Sequence, residues 1–276
     1  MSGGRRGVVF DLDGVLVRSE HLWELGWRAY ADRHHGAWAD EDTRACQGMS
    51  VPEWARYLAD RTSHDPEDAA RRMTPRTVGI IGVHLYGRPF DADRLGALAQ
   101  QRGLWVMEDA AQAQGAAWRG RRVGGLGTVA AWSFYPSKNL GCFGDGGAVT
   151  GNDVELLTRV RRVANHGQVA RYDHVEIGTN SRLDSLQAAV LNCRLPLLEQ
   201  DNARRRELAC KYHGAFQGVG DIRLPRDPEG ATCVYHQYTL MTARRDELQA
   251  FLKERGVGSS IHYPTPLHRI AALAGH

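Results

Sequence analysis

The chain has 276 residues, a formal net charge of +3, 42% hydrophobic side chains and 24% charged ones. That is an ordinary globular balance with length for one large or two modest domains, and so small a charge argues against a nucleic-acid partner. The five cysteines (Cys46, Cys142, Cys193, Cys210 and Cys233) are scattered and lack a Cys-x-x-Cys pair, which excludes a disulfide framework or a zinc site of usual spacing. Reduced thiols, and an N-terminus running straight into a predicted strand with no leader or spanning segment, lead to the expectation of a cytoplasmic protein off the membrane.

In chain order, Gly7-Val8-Val9-Phe10-Asp11-Leu12-Asp13-Gly14-Val15-Leu16 reads as a short apolar strand ending in an acid-x-acid-Gly turn. It resembles the first motif of haloacid-dehalogenase-type (HAD) phosphatases and phosphoglucomutases. The resemblance implies that Asp11 is a phosphoryl-accepting nucleophile and Asp13 a general acid/base. Mg²⁺ would sit between the Asp11 carboxylate and the Asp13 carbonyl, since a hard cation takes oxygen ligands. Ser19 to Asp60 then reads as a helical cap with tryptophans at 23, 27 and 54, and Arg18 stands where that family usually has an acid. No later segment supplies the phosphatase Thr/Ser, lysine or acidic metal motifs.

Thr62 to Asp68 is polar and turn-rich, which predicts a junction between there and Met73. The expected domains are 1–68, a HAD-like fragment; 73–220, a large domain; and 221–276, the start of a small one. From Val78 onward strands and helices alternate, predicting a parallel or mixed sheet with crossover helices in an α/β fold. The predicted strands are 78–84, 104–108, 129–134 and 147–150, and the helices 91–102, 152–164, 183–194 and 198–215. Leu95, Leu98 and Ala99 take helical spacing toward the sheet. Val234 to Met241 is a predicted strand, and Arg245 to Glu254 a predicted helix.

Two of these strands end in residues that carry chemistry. Leu104 to Glu108 runs into Asp109, with Gln112 three residues on. Val129 to Phe134 runs into Tyr135-Pro136-Ser137-Lys138-Asn139-Leu140-Gly141, then Gly144-Asp145-Gly146-Gly147-Ala148. Glycines there let backbone approach a ligand closely. An acid and a lysine at the ends of neighbouring parallel strands suit pyridoxal 5'-phosphate (PLP). The lysine forms a Schiff base and the acid keeps the pyridine nitrogen protonated.

From about Met73 onward the chain resembles the DegT/DnrJ/EryC1/StrS sugar aminotransferases, PLP enzymes of fold type I. Thr74-Pro75-Arg76-Thr77, Val83-His84-Leu85-Tyr86-Gly87, Glu108 to Ala113 and the Lys138 loop carry the likeness. Asn165-His166-Gly167, Ile177 to Asp184 and His262-Tyr263-Pro264-Thr265-Pro266-Leu267 extend it in the same order. The resemblance implies that Lys138 is the Schiff-base lysine and Asp109 the partner of the pyridine nitrogen. Gln112 is expected beside the cofactor ring, and Ser133 on its phosphate. Asn180 is expected to reach the cofactor phosphate of a partner subunit, which implies a homodimer. His166, His174, His262 and Tyr263 are candidate sugar contacts, with hydrogen-bonded structural roles as the alternative.

The implied reaction takes an amino group from glutamate or glutamine to a keto-sugar, and the Tyr-Pro-Ser-Lys-Asn form of the loop resembles that of the members acting on nucleotide-linked sugars. The resemblance also implies that the family's N-terminal Gly-Thr-x-Ala-Leu phosphate-binding helix and its C-terminal end are missing. Gly127-Thr128-Val129-Ala130-Ala131 has a similar spelling but leads into a strand. The alternatives are a HAD-type Mg²⁺-dependent hydrolase and a non-catalytic fusion remnant.

Overall fold

A computed structural model describes residues 73–74, 77–265 and 271. Asp11, Asp13, Arg18, Cys46 and the whole HAD-like reading lie outside the described residues. Two compact units divide the chain, and the larger is Gly79–Leu240.

The larger unit is built on a four-stranded sheet in the order β1-β2-β5-β6. Strands β1 (Gly79–Val83), β2 (Trp105–Asp109) and β5 (Val129–Ser133) are parallel, and β6 (Gly147–Gly151) closes the edge antiparallel to β5. The fold is therefore α/β with a mixed sheet. The register pairs Val83 with Asp109 and Asp109 with Ala131, so β1, β2 and β5 end along one edge. In open α/β sheets, ligands bind at this carboxyl edge. Two smaller sheets complete the unit. One has the order β4-β3-β9, from Arg121–Arg122, Ala117–Trp118 and Ala231–Thr232; the other pairs β7 (Gln168–Ala170) with β8 (Asp173–His174).

Helix α1 (Ala92–Arg102) crosses from β1 to β2, which the parallel pairing requires. Asp91 caps it by accepting from Arg94 N–H at 3.0 Å, and such a cap contributes about 1 kcal/mol. Gly103, at φ 62°, ends it in the left-handed conformation that glycine adopts without a Cβ penalty. Ala92 and Ala99 are its buried residues, with Leu95 and Leu98 half-buried beside them. Helices α2 (Val154–Val163), α3 (Ser185–Arg194) and α4 (Leu198–Phe216) follow β6. A core of Ala110, Ala113, Ala116, Val123, Ala130 and Val234 lies behind the sheet edge, with Leu126 and Trp132 packed against it. A second cluster joins Leu140 and Cys142 to Leu191 of α3.

Residues 234–240 form no strand, contrary to the sequence-based expectation. Their carbonyls find side-chain donors instead of a ladder. Val234 O accepts from Asn139 Nδ2, and Arg205 reaches the carbonyls of Tyr235 and His236. Tyr235 also sits at φ 43°, outside the β region. In the second unit, α5 is Arg245–Glu254, where the sequence places it.

Candidate active site

The carboxyl edge of the sheet brings together four of the expected residues. Asp109 ends β2 and Ser133 ends β5, adjacent parallel strands whose registers meet at Asp109 and Ala131. Asp109 Oδ1 accepts from the backbone N–H of Ala111 at 3.0 Å, which orients the carboxylate over its own turn. Gln112 Oε1 accepts from Tyr86 N–H at 2.6 Å, tying that side chain to the turn after β1. Ser133 Oγ accepts from Tyr135 N–H at 3.3 Å, and the hydroxyl hydrogen is left to donate.

Lys138 lies in the loop after β5, half-buried, with its N–H donating to Tyr135 O at 2.9 Å. The loop folds back tightly on itself. A Cβ on Gly141 would lie 2.6 Å from Tyr135 O, so only glycine fits there. Cys142 N–H returns to Phe134 O at 2.8 Å, and Arg194 of α3 donates to Gly141 O at 2.6 Å. Burial pushes the Lys138 amine below the ordinary lysine range, and the nearby Asp109 carboxylate partly offsets this. A lowered pKa makes more neutral amine available as a nucleophile. Competitive acylation of the protein across pH, read by mass spectrometry, should give Lys138 a midpoint below that of a solvated lysine.

Glu108, one residue before Asp109, is fully buried and faces the opposite side of the strand. Its Oε1 accepts from the N–H groups of Leu126 (2.7 Å) and Gly127 (2.8 Å), and its Oε2 from Gly124 N–H (2.8 Å). His84 Nε2 lies 3.0 Å from Oε2, with its ring stacked on Phe90 at a centroid distance of 4.3 Å. Burial alone would raise the Glu108 pKa. Hydrogen bonds from His84, Gly124 and Gly127 outweigh it and hold the carboxyl below the usual range. Sequence reasoning gave Glu108 and His84 no role, although an acid inside an apolar strand was the available signal.

The other expected residues belong to other segments of the chain. Asn180 is exposed and bridges Asn165, with Oδ1 accepting from Arg182 Nε at 3.1 Å. His166 is exposed at φ 59°; its N–H donates to Thr179 O, and its carbonyl accepts from His174 Nδ1 at 2.8 Å. No hydrogen bond among the described residues joins this group to Lys138 or Asp109. His262 and Tyr263 belong to the second unit, exposed, with ring centroids 5.3 Å apart. Among the described residues no cluster of His, Cys, Asp and Glu is grouped to hold a metal ion, and no helix is long and apolar enough to cross a membrane.

Residues 50–275 match the model of the DegT/DnrJ/EryC1/StrS aminotransferase family. The chain belongs to that family. A dTDP-3-amino-3,4,6-trideoxy-alpha-D-glucose transaminase of Streptomyces venezuelae is 49% identical over 216 residues, which are 78% of this chain and 57% of that protein. The chain thus spans a little over half the length of this relative. The structure of S. venezuelae DesV in complex with a ketimine intermediate superposes with a TM-score of 0.74 at 39% identity, covering 94% of this chain and 78% of that one. NtdA from Bacillus subtilis with bound cofactor PMP gives 0.68 at 30% identity, over 76% of this chain and 49% of that one. The fold of this family member is that of the fold-type I PLP aminotransferases, and its carboxyl-edge residues suit such a cofactor. They offer an amine whose pKa burial lowers, a carboxylate on the neighbouring strand and a hydroxyl at the strand end.

Proposed function

We propose that this family member is a PLP-dependent sugar aminotransferase that moves an amino group from glutamate or glutamine to a nucleotide-linked keto-sugar. One observation carries the reading. The Lys138 amine, lowered by burial, and the Asp109 carboxylate stand at one edge of the sheet, beyond adjacent parallel strands. The dTDP-sugar named for the S. venezuelae relative supports the substrate class, and the PMP in NtdA supports the cofactor.

Bound PLP supplies an electron sink conjugated to the nitrogen being transferred. Lys138 Nζ would hold the cofactor covalently, and its free amine would move the proton of the donor α-carbon. Asp109 keeps a proton on the pyridine nitrogen, and Ser133 donates its hydroxyl to the phosphate. Gln112, held by Tyr86, borders the ring. A homodimer accords with the long exposed apolar side chains that surround Asn180 in sequence. Tyr172 is 79% exposed, Ile177 98% and Leu186 71%, and such side chains favour burial against a partner.

The test is borohydride reduction of the protein after addition of PLP, followed by peptide mapping. Label on Lys138, and amine transfer from glutamate to a dTDP-linked keto-sugar, are the expected results. Asp109→Asn should keep the label and lower transfer by roughly 10²–10³-fold, the scale of losing one electrostatic partner of the developing charge. Label spread evenly over Lys138, Lys211 and Lys253, the lysines of the chain, would overturn the reading.

A further inference from the structure

A chain of buried amides runs between the three segments that carry Asp109, Ser133 and Lys138. Gln114, 2% exposed, donates from Nε2 to the carbonyls of Ala111 (3.2 Å) and Ser133 (2.7 Å). Its own backbone carbonyl accepts from Nδ2 of Asn202, a fully buried residue of α4, at 2.9 Å. Asn202 Oδ1 accepts in turn from Nδ2 of Asn139 at 2.8 Å. Asn139 is buried and directly follows Lys138. Its second Nδ2 hydrogen goes to Val234 O at 3.0 Å.

Backbone carbonyls opposite each NH₂ group fix the orientation of all three side-chain amides. Asn139 Oδ1 is thereby an acceptor, so His236 Nδ1, 3.1 Å away, must carry the hydrogen between them. α4 approaches this network closely, since a Cβ on Gly115 would lie 2.5 Å from Asn202 Nδ2. Burying so many polar atoms costs desolvation that apolar residues of similar size would avoid. Polar groups in such a core specify one arrangement of the segments they join.

We propose that Asn139, Asn202 and Gln114 are positioning residues, which lock the Lys138 loop against the Asp109 and Ser133 strand ends through α4. This rests on the aminotransferase reading for its purpose, and on the hydrogen bonds for its geometry. Gln114 holds the turn after Asp109 and the end of β5 together. Asn202 passes that placement to Asn139, and Asn139 to the neighbouring lysine. Asp109 is the charged group that acts on Lys138, so slippage of the loop changes both the burial and the field at Nζ.

The test uses the full chain in two measurements. One is the pH midpoint of Lys138 acylation without cofactor, with Lys211 and Lys253 as references in the same digest. The other is the PLP concentration needed for half-maximal borohydride labelling of Lys138. Asn202→Ala should move the midpoint up toward that of a solvated lysine and raise the half-labelling concentration about tenfold, the scale of one lost buried hydrogen bond. His236→Ala removes a donor at the half-buried outer end of the network. It should shift both readings the same way by less, and it decides the matter if Asn202→Ala does not fold. Val123→Ala thins the apolar core without removing a hydrogen bond of the network and should lower stability with the Lys138 midpoint unmoved. An unmoved midpoint in both network variants overturns the proposal, as does an equal shift in Val123→Ala. A wild-type protein that takes no PLP, yet shows the shift in the network variants, would leave the positioning role standing and sink the aminotransferase reading.

Discussion

Lys138→Ala is expected to abolish borohydride-fixed PLP labelling and to reduce amine transfer to background. Two contributions are removed together. Covalent capture needs an amine nucleophile, and proton transfer by a positioned base is itself worth roughly 10²–10⁴-fold. Lys138→Arg should fail as completely, because a guanidinium keeps its charge and offers no neutral nitrogen. The loss in Lys138→Ala should not come from unfolding. Burial lowers the Lys138 pKa, so the folded state disfavours the charged amine relative to the unfolded chain. That penalty on stability applies at pH below the lowered value, and it disappears with the side chain. Thermal denaturation at neutral pH should therefore find Lys138→Ala as stable as the parent or slightly more so. A variant that still takes label at that peptide, or that loses activity only because it melts, would contradict the assignment.

Glu108→Gln is expected to cost about 3 kcal/mol of folding stability, the scale of breaking a buried charged network by removing one partner. The reason is an acceptor count. Both carboxylate oxygens take hydrogen bonds, from Leu126 and Gly127 on one side and from Gly124 and His84 on the other. An amide keeps one oxygen and presents N–H₂ where the second set of donors points. Burial of an unmatched donor adds to the loss. Because the carboxyl is held below its ordinary range, its stabilisation is fully present above roughly pH 4, the unperturbed glutamate value. It fades as pH falls through the lowered folded value. Urea unfolding across pH should therefore show parent and variant far apart at neutral pH and converging in acid. A constant gap at every pH would remove Glu108 as the acid-labile group.

The loop that Glu108 gathers, residues 124–127, leads directly into β5 and so toward Ser133 and Lys138. Failure of Glu108→Gln in function would thus follow from a displaced strand, with no contact to the substrate needed. The two substitutions separate cleanly on this point. Lys138→Ala removes chemistry and spares the fold, whereas Glu108→Gln weakens the fold while leaving the reacting groups in the chain.

Much of the site was legible from local pattern. The apolar runs ending at Asp109 and Ser133, and the turn presenting Lys138, required only strand length and the polar residues that stop it. Helix α1 fell where spacing put it, because Asp91 and Gly103 are strong local end signals. The segment after Val234 went the other way. Its apolar and aromatic residues have strand propensity, yet Asn139 and Arg205 supply the donors that a neighbouring strand would have supplied.

By itself the sequence determined the family and the α/β order, and it put a lysine and an acid just beyond neighbouring strands. These depend on residues close together along the chain, whose periodicity and turn chemistry act before any tertiary contact forms. The tertiary structure alone decided that Glu108 binds three backbone amides while Asp109 turns to the sheet edge, and that Asn139 meets Asn202 across 63 positions of sequence. Such pairings follow from where separate segments cross. A buried amide accepts whichever donor the packing brings within 3 Å, and no local pattern names that partner.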